Sequence, residues 1–238
     1  MAILSLSENL LLRAAPGGKT EKLKTRLQYV SFETGQQFWP LPGGTPNLLF
    51  PLRGAISLQL PASPSKRVEV AVVGREGFLE ASLFLGGRKA KMLGVALTPG
   101  EAVILGPDAF RDFLTRSDFA AAVQSYVRLL IGMVSQISVC NRVHVIEKLC
   151  VSHLLLVHDR TWSDSFQITQ DFFARVLGVR RATISRVVTR LQKHGAIQYD
   201  RRGRLTISDR DRLDQFACSC YRHLRGSFDR FVKLHGGM

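Results

Sequence analysis

Two short amphipathic segments, separated by one glycine and followed by a basic hairpin, occupy residues 166–213. Thr169 can cap a first helix, and Gly178 can adopt the left-handed backbone conformation with which a helix ends tightly. The apolar spacing that follows predicts a second helix from about Arg181 to His194. A solvated basic face on a small helical domain is the alternative interpretation, but it does not require helix, glycine turn, helix and hairpin in this order. The segment therefore predicts a winged helix-turn-helix.

The second predicted helix has the size of helices that enter the major groove of DNA. Its apolar residues recur on one side, which leaves the other side polar: Arg181, Thr183, Ser185, Arg186, Thr189 and Arg190. Arginine is suited to reading guanine, because its N–H groups meet O6 and N7 together. The hairpin adds three arginines that can bind phosphates, which increases affinity without carrying sequence information: Arg201, Arg202 and Arg204.

The chain carries a formal charge of +14, from 33 Lys and Arg against 19 Asp and Glu. This excess favours a polyanionic partner, either nucleic acid or an anionic membrane surface. Residues 160–238 hold 16 of the basic and 7 of the acidic residues, so the predicted DNA-binding part is the most positive. No apolar run approaches the roughly 18 residues of a membrane span, and the first residues lack the pattern of a signal peptide. We therefore expect a cytoplasmic protein that does not enter a membrane.

Residues 1–28 begin with a helix-like segment, after which short apolar stretches alternate with turn-forming sequences as far as about residue 106. The sequences LPGG, PASPSK, VGREG, LGG and TPG interrupt this part of the chain, which leaves room for strands rather than long helices. The predicted strands are residues 55–60, 68–73, 93–97 and 102–105. Residues 1–116 are therefore predicted to form a β jelly roll or small antiparallel barrel, and the whole chain to be α+β.

A long helix is predicted over residues 117–141. Apolar residues recur there at alternating steps of four and three, the spacing of a coiled-coil seam: Phe119, Val123, Tyr126, Leu130, Met133, Ile137 and Cys140. We expect the first six of these to pair two subunits in a homodimer. The alternative is a helix packed inside its own domain, since Val127, Ile131 and Val134 form a second apolar face. Residues 142–238 would then form the DNA-binding domain with a C-terminal helix.

Four cysteines occur in the second half of the chain: Cys140, Cys150, Cys218 and Cys220. Their spacing gives no disulfide framework, and Cys218 with Cys220 supplies by itself too few ligands, at too short a spacing, for a zinc site. We expect no metal site and small residues packed on helices, with a redox role for Cys218 and Cys220 as a second hypothesis. The last helix is predicted to begin at Ser208, with Asp211 completing a capping-box-like start.

Two stretches are specific enough to compare with known families: HVIEKLCVSHLLLVHDR at residues 144–160 and LGVRRATISRVVTRLQKHGAI at residues 177–197. They resemble the helix-turn-helix of the Crp/Fnr family of bacterial transcription regulators and the helix that precedes it. The resemblance extends over nearly the whole chain. It implies an N-terminal cyclic-nucleotide-binding-like jelly roll, a long dimerisation helix, and a homodimer that binds a palindromic site in double-stranded DNA. RNA polymerase is the further partner that the resemblance implies.

The resemblance also assigns roles by position. Arg181 and Arg186 fall where the family's base-contacting arginines lie, within a base-reading set of Arg181, Ala182, Thr183, Ser185 and Arg186. Ala182 stands where many members have glutamate, so the operator should differ from theirs, with a thymine methyl as one contact that alanine suits. Arg180 stands where a capping Ser or Thr is common. The implied phosphate contacts are Thr169, Gln170, Arg180, Arg190, Arg201, Arg202 and Arg204.

A candidate effector pocket falls at Glu80 and Arg88, within GREGFLEASLFLGGRKA at residues 74–90. Leu79 stands where cyclic-nucleotide-binding members have glycine, which works against the close backbone approach that a cyclic phosphate needs. The alternative is that Glu80 and Arg88 are surface charges. No cysteine or histidine precedes Cys140, so an iron–sulfur cluster is not expected and a haem in the jelly roll lacks an obvious ligand. We expect no cofactor, and the identity of any effector stays open.

Two other classes of function compete with a specific regulator. An enzyme would need a paired nucleophile and base, a metal-ligand cluster or a phosphate-binding loop, and the sequence has no such pattern, so no enzymatic activity is expected. An architectural DNA-binding protein without sequence preference would share the basic charge. Competition with random DNA separates the two, because a specific regulator should bind its own site about 10³ times tighter or more.

Overall fold

The computed structural model describes residues 6–14, 27–38, 47–63, 66–86 and 92–236. After a 3₁₀ turn at Leu6–Glu8, the N-terminal part contains short helices and six strands: α1 (Leu10–Arg13), β1 (Leu27–Phe32), β2 (Leu48–Arg53), β3 (Ile56–Ser63), β4 (Lys66–Val73), α2 (Ala81–Phe84), β5 (Leu93–Ala96), β6 (Gly100–Leu105) and α3 (Pro107–Leu114). The C-terminal part is mostly helical: α4 (Ser117–Val143), α5 (Ile146–Thr161), β7 (Ser165–Gln167), α6 (Gln170–Leu177), α7 (Arg181–Lys193), β8 (Ile197–Tyr199), β9 (Arg204–Ile207), α8 (Arg210–Gln215) and α9 (Ser219–His235).

The first six strands form two antiparallel sheets, in the orders β1-β6-β2 and β4-β3-β5. In the first sheet Val103 of β6 lies opposite both Tyr29 of β1 and Phe50 of β2. Aromatic rings fill the interior: the centroids of Phe50 and Phe78 are 5.1 Å apart, and those of Phe78 and Phe110 are 5.4 Å apart. The sheets followed by helices confirm the predicted α+β fold, a β jelly roll ahead of a long helix and a winged helix-turn-helix.

Helix α4 packs the face of the predicted dimer seam against its own chain. All six predicted seam residues are buried within one subunit: Phe119, Val123, Tyr126, Leu130, Met133 and Ile137. The hydroxyl of Tyr126 donates to the backbone carbonyl of Phe78 at 2.8 Å, and the sulfur of Met133 accepts the N–H of Val72 at 3.4 Å. The assignment of this seam to a partner subunit is therefore wrong. The heptad spacing marks the face that covers the jelly roll and α9.

Helix α4 is also the one helix, among the residues that the structure describes, whose length and hydropathy would suit a membrane span. This property was not predicted from the sequence. Ten of its 27 residues are buried inside the fold, where they contact the jelly roll and α9. Packing inside the fold accounts for the apolar character of its buried face.

Two helix boundaries differ from those predicted. The long helix, predicted to end at residue 141, ends at Val143, where His144 has extended backbone (φ −106°, ψ 149°), and α5 begins at Ile146. The predicted C-terminal helix is two helices, α8 and α9, with Cys218 as the N-cap of α9. Asp209 rather than Ser208 caps α8, because its carboxylate accepts the N–H of Arg212 at 2.8 Å.

The helical part docks on the jelly roll through buried charged groups. Arg160 of α5 has its Nε 2.9 Å from Oε1 of Glu76 and donates to the carbonyl of Val72 at 2.6 Å. His153, also on α5, has its Nδ1 2.7 Å from Oε1 of Glu69 on β4. Helix α5 therefore joins the jelly roll to the helix-turn-helix that follows it.

Candidate nucleic-acid interface

Helices α6 and α7 form the predicted helix-turn-helix. The hydroxyl of Thr169 accepts the N–H of Phe172 at 3.2 Å, which caps the start of α6. Gly178 ends the helix with φ 66°, and its N–H bonds back to the carbonyls of Ala174 and Arg175. Glycine adopts this left-handed conformation without the steric cost that other residues incur, so the tight turn before α7 follows from the sequence.

Helix α7 has an apolar face in the domain core and a polar face toward solvent. The buried residues are Ile184, Val187, Val188 and Leu191. The predicted base-reading residues lie in its first two turns: Arg181, Ala182 and Arg186 are exposed, and Thr183 and Ser185 are half-buried. The side chain of Arg181 is 68% exposed, with its Nε 3.6 Å from a carboxylate oxygen of Asp171 on α6. An exposed pair of this kind contributes little to stability, so Arg181 can exchange it for another partner.

The hairpin of β8 and β9 forms the predicted wing. Oδ1 of Asp200 accepts the backbone N–H groups of Arg202 at 2.8 Å and of Arg204 at 2.9 Å, which holds the turn. The side-chain amide of Gln167 on β7 donates to the carbonyl of Arg202. These bonds use only backbone groups of the wing arginines, so their side chains stay exposed: Arg201, Arg202 and Arg204.

The wing tip lies beside the start of α6. The N–H of Ile168 donates to the carbonyl of Gly203 at 2.8 Å, and the hydroxyl of Tyr199 donates to the carbonyl of Ile168 at 3.0 Å. Burial raises the pKa of Tyr199 above its usual value, which keeps the hydroxyl protonated and able to donate. Thr169 and Gln170 therefore lie next to the wing, where the free N–H groups of a helix N-terminus favour an anion.

Two predicted phosphate contacts are placed differently from the others. Nη1 of Arg190 lies 2.8 Å from Oε2 of Glu147, which ties α7 to α5, so a phosphate would have to displace this partner. Arg180 precedes α7 as its N-cap, makes no capping hydrogen bond with its side chain, and is exposed. It lines a groove between the helix turn and the jelly roll, opposite Gln59 and Arg67.

The candidate effector position is partly described. Glu80 is only 4% exposed and has φ 74°, a conformation that is rare for residues other than glycine. The interpretation of Glu80 as a surface charge is therefore wrong. Leu79 is buried in the jelly roll, where its N–H donates to the carbonyl of Leu49 at 2.8 Å. Arg88 lies outside the described residues.

A cluster of cysteine and histidine side chains, not predicted from the sequence, forms where α4 meets α9. The sulfurs of Cys140, Cys218 and Cys220 and a ring nitrogen of His144 all lie within 4.8 Å of one another. Burial and the nearby Cys218 thiol raise the pKa of Cys140. Burial also opposes ionisation of Cys218, but hydrogen bonds from the Ser152 hydroxyl and from backbone N–H groups lower its pKa. The sequence signal that could have indicated this cluster is the four-residue spacing of Cys140 and His144.

Comparison with known proteins gives one family match. A family model, the Crp-like helix-turn-helix domain, matches residues 150–216, which include α6, α7 and the wing. No curated protein matches the sequence.

Several solved structures have a fold similar to that of this chain. A CRP-family transcriptional regulator from Thermus thermophilus is 15% identical, with 79% of this chain and 96% of that chain covered and a TM-score of 0.63. FixK2 from Bradyrhizobium japonicum is 14% identical over 81% of this chain and 98% of its own, with a TM-score of 0.62. A crp/fnr-family regulator from Eubacterium rectale is 16% identical over 87% of this chain and 96% of its own, with a TM-score of 0.61. These likenesses extend from the jelly roll to the helix-turn-helix.

Proposed function

We propose that this chain, a DNA-binding transcription regulator of the Crp/Fnr type, acts as a homodimer that reads a palindromic site with helix α7 of each subunit. In this proposal residues 1–116 form a sensor domain, residues 117–141 a dimerisation helix, and residues 142–238 the DNA-binding domain. The protein would act by binding in the cytoplasm, with RNA polymerase as its protein partner, rather than by catalysis.

The exposed start of α7 is the observation that carries the proposal. Arg181 and Arg186 point to solvent while the apolar side of the same helix is anchored in the core. An arginine fork in the major groove can read a guanine, and Ala182 beside it offers a methyl contact to thymine. The wing arginines and the N-terminus of α6 flank this helix, where they would bind phosphates and orient it.

A face of α4 other than the predicted seam supports a homodimer. Ile131, Val139 and Val143 are 57%, 50% and 63% exposed, and with exposed Ser135 they follow one another at steps of four. Side chains four apart form a ridge that can pack between the ridges of a second helix. Two copies of α4 joined along this outer ridge would carry two recognition helices, which suits half-sites about 34 Å apart on DNA.

The decisive experiment is selection of bound fragments from a random DNA pool, followed by competition against bulk DNA. We expect one palindromic motif bound about 10³ times tighter than random sequence or more. Uniform affinity for all fragments would favour an architectural protein and would refute the proposal.

Two variants then test the division of labour at the interface. Arg186→Ala should weaken binding to the selected site by roughly 1 to 3 kcal/mol and relax the preference at one base pair. Arg202→Ala should weaken binding to all sequences alike, and should reduce the slope of log affinity against log salt concentration by about one. Arg111→Ala serves as the control, because Arg111 is a 70% exposed arginine on α3 with a single exposed partner, Asp108. Equal losses of specificity in the first two variants would contradict these roles.

A further inference from the structure

We propose that Cys140, His144, Cys218 and Cys220 form a four-coordinate Zn²⁺ site that joins the end of α4 to the start of α9. The site does not depend on the DNA-binding proposal. It combines two ligands from the end of α4 with two from the start of α9, which are far apart in sequence, and the four donor atoms lie within 4.8 Å of one another.

Two of the six separations between donor atoms are close to those that a tetrahedral zinc ion requires, and all six are at most 4.8 Å. Sγ of Cys140 lies 3.5 Å from Sγ of Cys218, and Sγ of Cys220 lies 3.7 Å from Nδ1 of His144. Zinc–sulfur bonds of about 2.3 Å and zinc–nitrogen bonds of about 2.0 Å place ligand atoms roughly 3.6 to 3.8 Å apart in a tetrahedron. The donor atoms therefore need to move by only tenths of an ångström along these two edges.

Local backbone geometry brings the two pairs of ligands together. Cys140 and His144 are one turn apart at the end of α4, and His144 stands where the helix stops. Cys218 is the N-cap of α9 and Cys220 lies in its first turn, so the chain folds both sulfurs toward the same point despite their short spacing. The break between α8 and α9 is what makes this Cys-x-Cys pair usable.

The surroundings suit thiolate ligands. Cys218 lies at the N-terminus of a 17-residue helix, where free N–H groups and the helix dipole favour negative charge. The hydroxyl of Ser152 lies 3.2 Å from the same sulfur and can donate to it, as outer-shell groups do in metal sites. A cavity of about 50 Å³ adjoins Cys140 and Cys220, which leaves room for their sulfurs to adjust around an ion.

The ligand set suits zinc and a closed, structural kind of site. Three sulfurs and one imidazole favour Zn²⁺ over Mg²⁺ or Ca²⁺, which prefer oxygen ligands. The three cysteines are at most 6% exposed, and four protein ligands leave no open position for a substrate. Binding displaces the thiol protons to solvent and leaves a ZnS₃N centre with one net negative charge.

Two other states of the cluster are outcomes of the test. A Cys140–Cys218 disulfide would use two of the four groups and would need the sulfurs to close from 3.5 Å to about 2.05 Å. Simple packing of thiols would bind no metal. Neither state uses the ring nitrogen of His144 beside Cys220.

The experiment starts from full-length protein purified in reductant without oxygen, stripped with a chelator and titrated with Zn²⁺ or Co²⁺. We expect one ion per chain, and a cobalt spectrum with thiolate charge-transfer bands and the intense d–d bands of tetrahedral Co²⁺. Cys220→Ser and His144→Ala should weaken Zn²⁺ binding by about a hundredfold or more, since loss of outer-shell groups alone can reach that. Cys150→Ser is the matched control, because Cys150 is a buried free thiol outside the cluster.

A second readout keeps the test decisive if a ligand variant does not fold. Alkylation of the wild-type protein, mapped by mass spectrometry, should become faster after chelation at Cys140, Cys218 and Cys220 and stay unchanged at Cys150. Failure of the wild-type chain to bind stoichiometric metal would overturn the proposal. So would a Cys140–Cys218 disulfide as the stable state under reducing conditions, or equal loss of metal in the Cys150→Ser control.

Discussion

Gly77 lies where the loop after β4 crosses helix α4, and a side chain has no room there. A Cβ atom at this position would come within 1.9 Å of Cε2 of Tyr126. Tyr126 cannot easily move, because it is fully buried and its hydroxyl donates to the carbonyl of Phe78. The second glycine of the GREG sequence, Gly77, is thus required by packing between the jelly roll and α4.

We therefore expect Gly77→Ala to lower the free energy of unfolding by about 3 kcal/mol, the upper part of the range for overpacked cores. Gly226→Ala is the matched control, because Gly226 lies inside α9 with its nearest neighbour, the Arg230 guanidinium, 3.7 Å from the added carbon. That variant should gain up to about 1 kcal/mol from helix propensity. Urea denaturation followed by circular dichroism measures both, and equal midpoints for Gly77→Ala and the wild type would contradict this account.

At the scale of elements, the sequence predicted what depends on local contacts. Thr169 and Gly178 mark the ends of α6 because capping and left-handed turns involve neighbouring residues. What the two faces of α4 contact was harder to predict, since a heptad pattern of apolar residues predicts a buried face but not the surface that covers it. The zinc ligands were not predicted as a set, because Cys140 and Cys218 are brought together only by the tertiary fold.

The outer ridge of α4 gives the dimer a direct test. Ile131→Glu with Val139→Glu would place two carboxylates in the proposed helix pairing, which should cost roughly 3 kcal/mol and weaken dimerisation about a hundredfold. Analytical ultracentrifugation measures this shift. Leu85→Glu is the control, because Leu85 is a 65% exposed apolar residue on the jelly roll. Unchanged dimers in the double variant would exclude this ridge as the interface.

Substitutions on the buried face of α4 should have a different effect from substitutions on its outer ridge. Met133→Ala removes a side chain that is 2% exposed and that contacts Val72 and Arg160 inside one subunit. It should destabilise each subunit by about 2 to 5 kcal/mol, as core truncations do. Any effect on the dimer would then follow from unfolding of the subunit. Urea denaturation and analytical ultracentrifugation therefore distinguish the inner face of α4 from its outer ridge.

At the scale of the whole molecule, the jelly roll and the DNA-binding part are held together by charged groups taken out of water. Arg160 and Glu76 have side chains that are 1% and 0% exposed, with Nε and Oε1 2.9 Å apart. Glu76 also accepts the N–H of Gly74 at 3.0 Å. A pair of this kind adds little net stability over apolar packing, but removal of one member leaves a buried charge without its partner.

Arg160→Met should therefore destabilise the protein by roughly 3 to 5 kcal/mol, because the buried carboxyl group of Glu76 would lose its partner. Arg160→Met combined with Glu76→Gln should recover much of that loss, since glutamine removes the charge yet keeps an oxygen for the N–H of Gly74. Arg111→Met, at an exposed arginine, should change the unfolding free energy by less than about 0.5 kcal/mol. Urea denaturation of the wild type, of Arg160→Met, of Glu76→Gln and of the double variant gives the coupling energy between positions 160 and 76. A double variant as unstable as the sum of the two single variants would show that the pair does not hold the two parts together through its charge.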